Sequence, residues 1–313
     1  MRKVPFILVV FILAVICAFG TLSSAREAGE VFFAPWGKRK AEIGNVRKPE
    51  MEIVGACSFC VDSENIFILD SVRSRVLCID SQNQVYELGV NVSGWAICAD
   101  GNGGVFVQEA DRITHLKKKT PGNAGAAEQN KLSGIANPNG KIPKLVEGYG
   151  NELLINKRGE VYLHTQAQTD YLIKGAANPR HSLGEGAPVL SYRIKRVIGS
   201  QVRILGLDED GKAVVSVPLQ VEGGRAGAVL FKGTDLNGNL YVELEIIRER
   251  GVDLEVHRYS PGGKRLAVFN LSNAYYSTVY KKTEIAPDGS VFQMLTTPKG
   301  VRIIHYINTN NGE

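Results

Sequence analysis

From residue 57 onward the apolar residues come in short runs separated by polar turns, a strand-and-turn pattern with no helical period. The stretch CSFCVDSENIFILDSVRSRVLCID, residues 57 to 80, holds three such pieces, SFCVD, NIFILD and RVLCID, joined by turns around Ser63-Glu64 and SVRS. The trio returns in WAICADGNGGVFVQEADRITHLK, from Trp95, where Asp100 matches Asp62, Phe106 matches Phe67 and RITHL matches RVLCI. NELLINKRGEVYLHTQ (151–166), VRILGLDEDGKAVVSV (202–217), VLFKGTDLNGNLYVELEI (229–246) and KTEIAPDGSVFQML (282–295) repeat the order of apolar strand, Asp or Asn, Gly-containing turn and apolar strand. Asp and Asn bond their own backbone and Gly supplies positive φ, so these turns close hairpins. The copies number six, at about 48 residues each, the size of a four-stranded propeller blade. The pattern predicts an all-β chain: a six-bladed β-propeller of four-stranded antiparallel blades.

Two stretches break the rhythm. Residues 120–141 and 175–188 are rich in small residues, Gly and Asn, and lack an apolar period, so both are expected to be loop insertions. EVFFAP, 30–35, is an isolated strand before the first copy. It is expected to pair into the last blade beside SVFQML and VRIIHYI, closing the ring and covering an edge. The leading residues carry Arg2 and Lys3, an apolar run from Val4 to Gly20, and small residues Ser23 and Ala25 before Arg26. That is the layout of an export signal; the run is long for a signal's apolar core and short for a spanning helix, which leaves an uncleaved membrane anchor open. The expected organisation is therefore a signal or anchor helix over 1–25 and one propeller domain over 26–313. The product is exported, to the extracellular space, cell surface or periplasm, with membrane contact only through residues 4–20 if they stay attached.

PWGKRKAEIG (35–44) followed by residues 57–80 resembles the blade of NHL-repeat β-propellers: a Trp-Gly opening, a strand ending in Asp, a turn, an aromatic strand ending in Asp, and an Arg-Val strand. The resemblance implies that Asp70 and Arg75 match the Asp and Arg that brace that family's hairpin, an architectural role. The family's turn glycine is missing from the first copy, where Ser63, Glu64 and Asn65 stand instead. Relatives of this kind serve as binding platforms and as occasional lyases, so the likeness implies a fold more than an activity.

Charge changes the picture little. The 37 Lys and Arg against 32 Asp and Glu leave +5, and the basic run Lys117-Lys118-Lys119 has no interleaved aromatics, so no nucleic-acid partner is expected. Of five cysteines, Cys57 and Cys60 form a C-x-x-C, but in a strand rather than at the helix N-terminus where that motif lowers a thiol pKa. Two strand spacings are expected to separate Cys60 from Cys78, too far for a disulfide. Cys60 and Cys98 each stand two residues before a turn Asp, where later copies carry Leu154, Gly206, Gly233 and Ala286, a position that takes small or apolar filler. His115, His257 and His305 align with Cys78 on third strands and are expected to pack between blades, because ligands so far from the axis cannot converge on one ion.

First strands line a propeller's channel, which makes Trp95, Glu152, Arg203 and Lys232 the candidate channel-mouth binding residues. No catalytic residue, cofactor or metal ligand is assigned by motif. Two functions follow: a monomeric binding or protein-interaction scaffold for a protein or small-molecule ligand, or a propeller hydrolase or lyase holding Ca²⁺ or Zn²⁺ in the channel.

Overall fold

The structure is a computed structural model that describes residues 26–47, 49–109, 113–117, 128–132, 152–155, 161–164, 170–173, 191–196, 201–207 and 212–307. The expected signal or anchor (1–25) and the second loop insertion (175–188) lie outside the described residues. Among them every regular element is a strand. The first, β1 (Arg26–Pro35), precedes a sheet of β2 (Ser58–Val61), β3 (Asn65–Asp70), β4 (Arg75–Asp80) and β5 (Val85–Val90). The second sheet is β6 (Gly94–Ala99), β7 (Gly104–Glu109), β8 (Ile113–Lys117) and β9 (Glu128–Leu132), so a strand forms inside the stretch expected to be the first loop insertion. Then come β10 (Glu152–Ile155), β11 (Val161–His164) and β12 (Asp170–Ile173), followed by β13 (Ser191–Arg196), β14 (Val202–Leu207) and β15 (Ala213–Pro218), two sheets with three described strands rather than four. A four-stranded sheet follows, of β16 (Arg225–Thr234), β17 (Leu240–Arg248), β18 (Gly251–Tyr259) and β19 (Arg265–Leu271). The last is β20 (Thr283–Ile285), β21 (Val291–Thr297) and β22 (Gly300–Ile307), joined by β1.

First strands meet first strands. β2 lies against β6, β6 against β10, β13 against β16, β16 against β20, and β20 against β2. Antiparallel sheets abutting through their inner strands are consistent with a β-propeller. The core lies between sheets. One face of the first sheet (Cys60, Phe67, Leu69, Cys78) packs on Ile97, Val105, Val107 and Leu116 of the second. Its other face (Phe59, Ile68, Leu77) packs on Ala34, Met294, Val301 and Ile303 of the last. Burial on both faces is why NIFILD reads as a nearly unbroken apolar run instead of an alternation. A ring such as Phe67, with none of its surface exposed, contributes on the order of 2–3 kcal/mol by burial.

One turn chemistry repeats. Asp62 Oδ1 accepts from the amides of Glu64 (2.8 Å) and Asn65 (2.6 Å). Asp100 Oδ1 accepts from Asn102 (2.7 Å) and Gly104 (2.8 Å), and Asp235 Oδ1 from Asn237 and Asn239, both at 2.9 Å. Each carboxylate satisfies amides that the hairpin leaves unpaired. Gly101 and Gly103 supply the positive φ, 72° and 77°, that the Asp100 turn needs.

The hairpin register sets Cys60 opposite Phe67 and Phe67 opposite Cys78, and the next sheet sets Cys98 opposite Phe106 and Phe106 opposite His115. β1 pairs antiparallel along β22 from Arg26↔Ile307 to Pro35↔Gly300, burying Phe32 and Ala34. The observed register departs from the expected one at three places. Arg203 lies on β14, the second strand of its sheet, because Ser191–Arg196, a segment with few apolar residues, forms the first strand β13. His257 faces Val242, and Arg258 takes the place opposite Tyr241, because the tight β17–β18 turn at Arg248↔Gly251 fixes the pairing. In the last sheet the turn is closed by Ala286, whose amide donates to the Ser290 carbonyl at 2.9 Å, so Asp288 sits inside the turn. The residue facing Phe292, two before that turn, is Glu284 rather than Ala286.

Candidate functional site

The inner strands carry a buried charged cluster centred on β20. Lys281, just before β20, is 3% exposed. Its Nζ lies 2.5 Å from Glu284 Oε2 and donates to the Ile97 carbonyl of β6 at 3.3 Å. On the other side, Lys232 of β16 places Nζ 3.9 Å from Glu243 Oε2, which also accepts from Thr283 Oγ1 at 2.5 Å. Lys282 Nζ lies 3.1 Å from Glu245 Oε1 and 5.3 Å from the Tyr275 ring centroid. One short segment, 281–284, thus ties β20 to β6 through the Lys281 bond to the Ile97 carbonyl, and to β17 through the Thr283–Glu243 hydrogen bond and the Lys282–Glu245 ion pair.

Thiols border this cluster. Cys57, Cys60, Cys78 and Cys98 are buried thiols outside any disulfide. Burial pushes the Cys60 thiol well above its ordinary value against the opposing pull of the Lys281 ammonium, while nearby Glu284 pushes the same way as burial. Burial also pushes Cys98, which feels the same Lys281 charge, and Cys57 up to about 12. Protonated thiols are poor nucleophiles and poor metal ligands. The C-x-x-C therefore sits as filler: Cys57 Sγ donates to the Gly94 carbonyl at 3.8 Å and neighbours the Ser71 hydroxyl.

The histidines separate in the same way. His115 stacks on Phe106 with ring centroids 4.1 Å apart and places Nε2 2.8 Å from Asp100 Oδ2. His305 stacks on Phe292 at 4.4 Å, and burial lowers its pKa. His257 places Nε2 2.6 Å from Glu255 Oε2 and Nδ1 3.3 Å from the Tyr259 hydroxyl. Among the described residues no three His, Cys, Asp or Glu side chains converge as a metal-holding group.

Of the four candidate channel-mouth residues, Lys232 joins the charged cluster. Trp95 stands on β6, with its indole Nε1 buried and unpartnered. Glu152 opens β10 opposite His164. Arg203, displaced to β14, donates from Nη1 to Ser216 Oγ at 3.0 Å. Asp70 and Arg75 are buried on either side of the β3–β4 turn, Nε to Oδ2 at 3.1 Å. Asp70 also accepts from the Gly44 amide at 3.1 Å and the Arg73 amide at 3.3 Å, while Arg75 donates to the Lys40 carbonyl at 3.0 Å and to Glu87 and the Glu42 carbonyl. The pair fastens the 36–44 segment, the connection leaving β1, onto the first sheet.

Sequence reasoning placed Thr283 on a first strand but missed Lys281, Glu284 and Glu243. The signal was present in KKTE: counted from the true turn at Ala286, Lys281 occupies the place of Cys57, Trp95 and Leu230, and Glu284 that of the thiols.

No family model matches the chain, and no curated protein does. Solved structures similar to it include a protein of unknown function from Bacteroides thetaiotaomicron (10% identity, 90% of this chain and 77% of that one, TM-score 0.46). Others are virginiamycin B lyase from Staphylococcus aureus (10%, 84% and 98%, 0.40) and glutaminyl cyclase from Myxococcus xanthus (11%, 91% and 100%, 0.33). Likeness at this level assigns no activity.

Proposed function

We propose that the chain is an exported, closed six-bladed β-propeller that works as a binding scaffold, holding a protein or small molecule on its loops and faces. The observation that carries this reading is the pairing of the charges around β20: Lys281 with Glu284, Lys232 with Glu243, Lys282 with Glu245. A catalytic centre keeps a nucleophile next to a base, or carboxylates open to a cation. Here the thiols beside the cluster hold their protons, and a Ca²⁺ or Zn²⁺ ion would have to displace an ammonium from each carboxylate. The cluster serves as a rigid hub, and the hydrolase or lyase alternative has less to build on.

Metal analysis with thermal unfolding tests the reading. The purified chain is expected to melt at the same temperature with and without a chelator, and its metal content is expected to stay well below one ion per chain. A stoichiometric ion whose removal lowers the melting temperature, with loss of that ion in Glu243→Gln or Glu284→Gln, would overturn it in favour of the metal-dependent enzyme.

A further inference from the structure

β1 is a rim strand with one face in the core and one in solvent. Phe32 and Ala34 are buried, while Val31 and Phe33 are 36% and 41% exposed and Pro35 is exposed beside them. These three alternate residues share one side of the strand. They border an open cleft of about 400 Å³ that Ala41, Asn83 and Val85 also line, which brings the 36–44 segment to the same surface. That segment carries Lys38, Arg39 and Lys40, all exposed, with the Arg39 side chain 90% accessible and partnered at 3.7 Å by Glu42. The Arg75 side chain holds the Lys40 carbonyl, so the basic run is fixed to the fold at this point. In sequence, the apolar run Val4–Gly20 stands only residues 21–25 before the strand.

We propose that this rim docks the domain on the surface of an anionic lipid bilayer, Val31, Phe33 and Pro35 entering the interface and Lys38, Arg39 and Lys40 meeting the headgroups. Exposed apolar and aromatic side chains beside a basic cluster are the chemistry of interfacial membrane contact. The apolar run places that surface within reach: residues 21–25 span at most about 18 Å when extended. A peptide adding to the β1 edge would use the backbone and have no call for the basic run.

The test uses the full chain in lipid nanodiscs, with Cys17→Ala and a nitroxide on Phe33→Cys or, as a second site, Val31→Cys. The four described native cysteines are buried and leave the introduced one as the reactive site. The reference label is on Leu236→Cys, exposed in the β16–β17 turn of another sheet. In anionic discs the label on β1 is expected to meet dissolved oxygen several-fold more readily, relative to a water-soluble nickel complex, than the label at 236. In K38E/K40E or in zwitterionic discs that ratio is expected to fall to the reference. A label on β1 as open to nickel as the reference overturns the proposal. Lipid contact that survives charge reversal also overturns it, showing a tether without an anionic interface. An unchanged unfolding transition in each variant verifies that the fold is intact.

Discussion

Cys60 on β2 and Glu284 on β20 occupy one place in two copies of the same hairpin, each facing an aromatic on the next strand. In the first sheet that place holds a thiol that burial keeps protonated. In the last it holds a carboxylate, tolerated because Lys281 supplies a counter-charge at 2.5 Å. The difference teaches that the repeat dictates geometry rather than polarity: the position admits a charge wherever the preceding residues bring one of opposite sign, and otherwise demands filler.

The strongest way to break this comparison is to move the carboxylate. Cys60→Glu places a second acid beside Glu284 with no lysine of its own, and overpacks a fully buried site. It should cost more than about 4 kcal/mol, read as loss of the cooperative transition in urea. A Cys60→Glu protein with near-native stability would show that the position is permissive without a partner.

Next in size, Lys281→Met takes the ammonium away from the largely buried Glu284 carboxylate and should cost about 3–5 kcal/mol. Lys281→Met/Glu284→Leu should recover most of it. A double variant no better than the single would mean that the lysine acts through the Ile97 carbonyl and not through the carboxylate.

The protonated thiols predict a pH dependence. Unfolded, Cys57 and Cys98 ionise near 9.0; folded, burial holds them at about 12. The folded state therefore keeps protons that the unfolded chain releases, and the contribution is intact below pH 9 and drained as pH climbs toward 12. The slope is about 1.4 kcal/mol per thiol per pH unit. Urea midpoints at pH 8 and pH 10 should differ more in the native sequence than in Cys57→Ala/Cys98→Ala; equal differences would sink the assignment. Smallest of all, Cys60→Ala removes one sulfur from a packed site and should cost only about 1 kcal/mol, with no change in the thiol-independent transition shape.

Much of the fold was legible because strand pairs closed by tight turns carry their register in the sequence. Cys60–Phe67–Cys78, Cys98–Phe106–His115 and the pairing of residues 30–35 with VRIIHYI could all be read from spacing. Failure came where a turn was misplaced. Asp288 in APDGS looks like the Asp of the other turns, yet the hairpin closes at Ala286, and that shift of two residues hid Glu284 from the thiol row. β13, SYRIKR, carries too few apolar residues to announce itself, so Arg203 was assigned to a first strand. The charged cluster was illegible for another reason: Lys281, Glu284, Lys232 and Glu243 come from β16, β17 and the segment entering β20, and only the abutting of their two sheets gathers them.

The clasp between β1 and β22 has a consequence for biogenesis. The first strand of the fold finds its hydrogen-bonding partner only when Gly300–Ile307 has been made, so the last sheet stays one strand short until β22 arrives. A polypeptide wired in this way remains unlatched while its middle sheets take shape, and seals its own edge as a closing step.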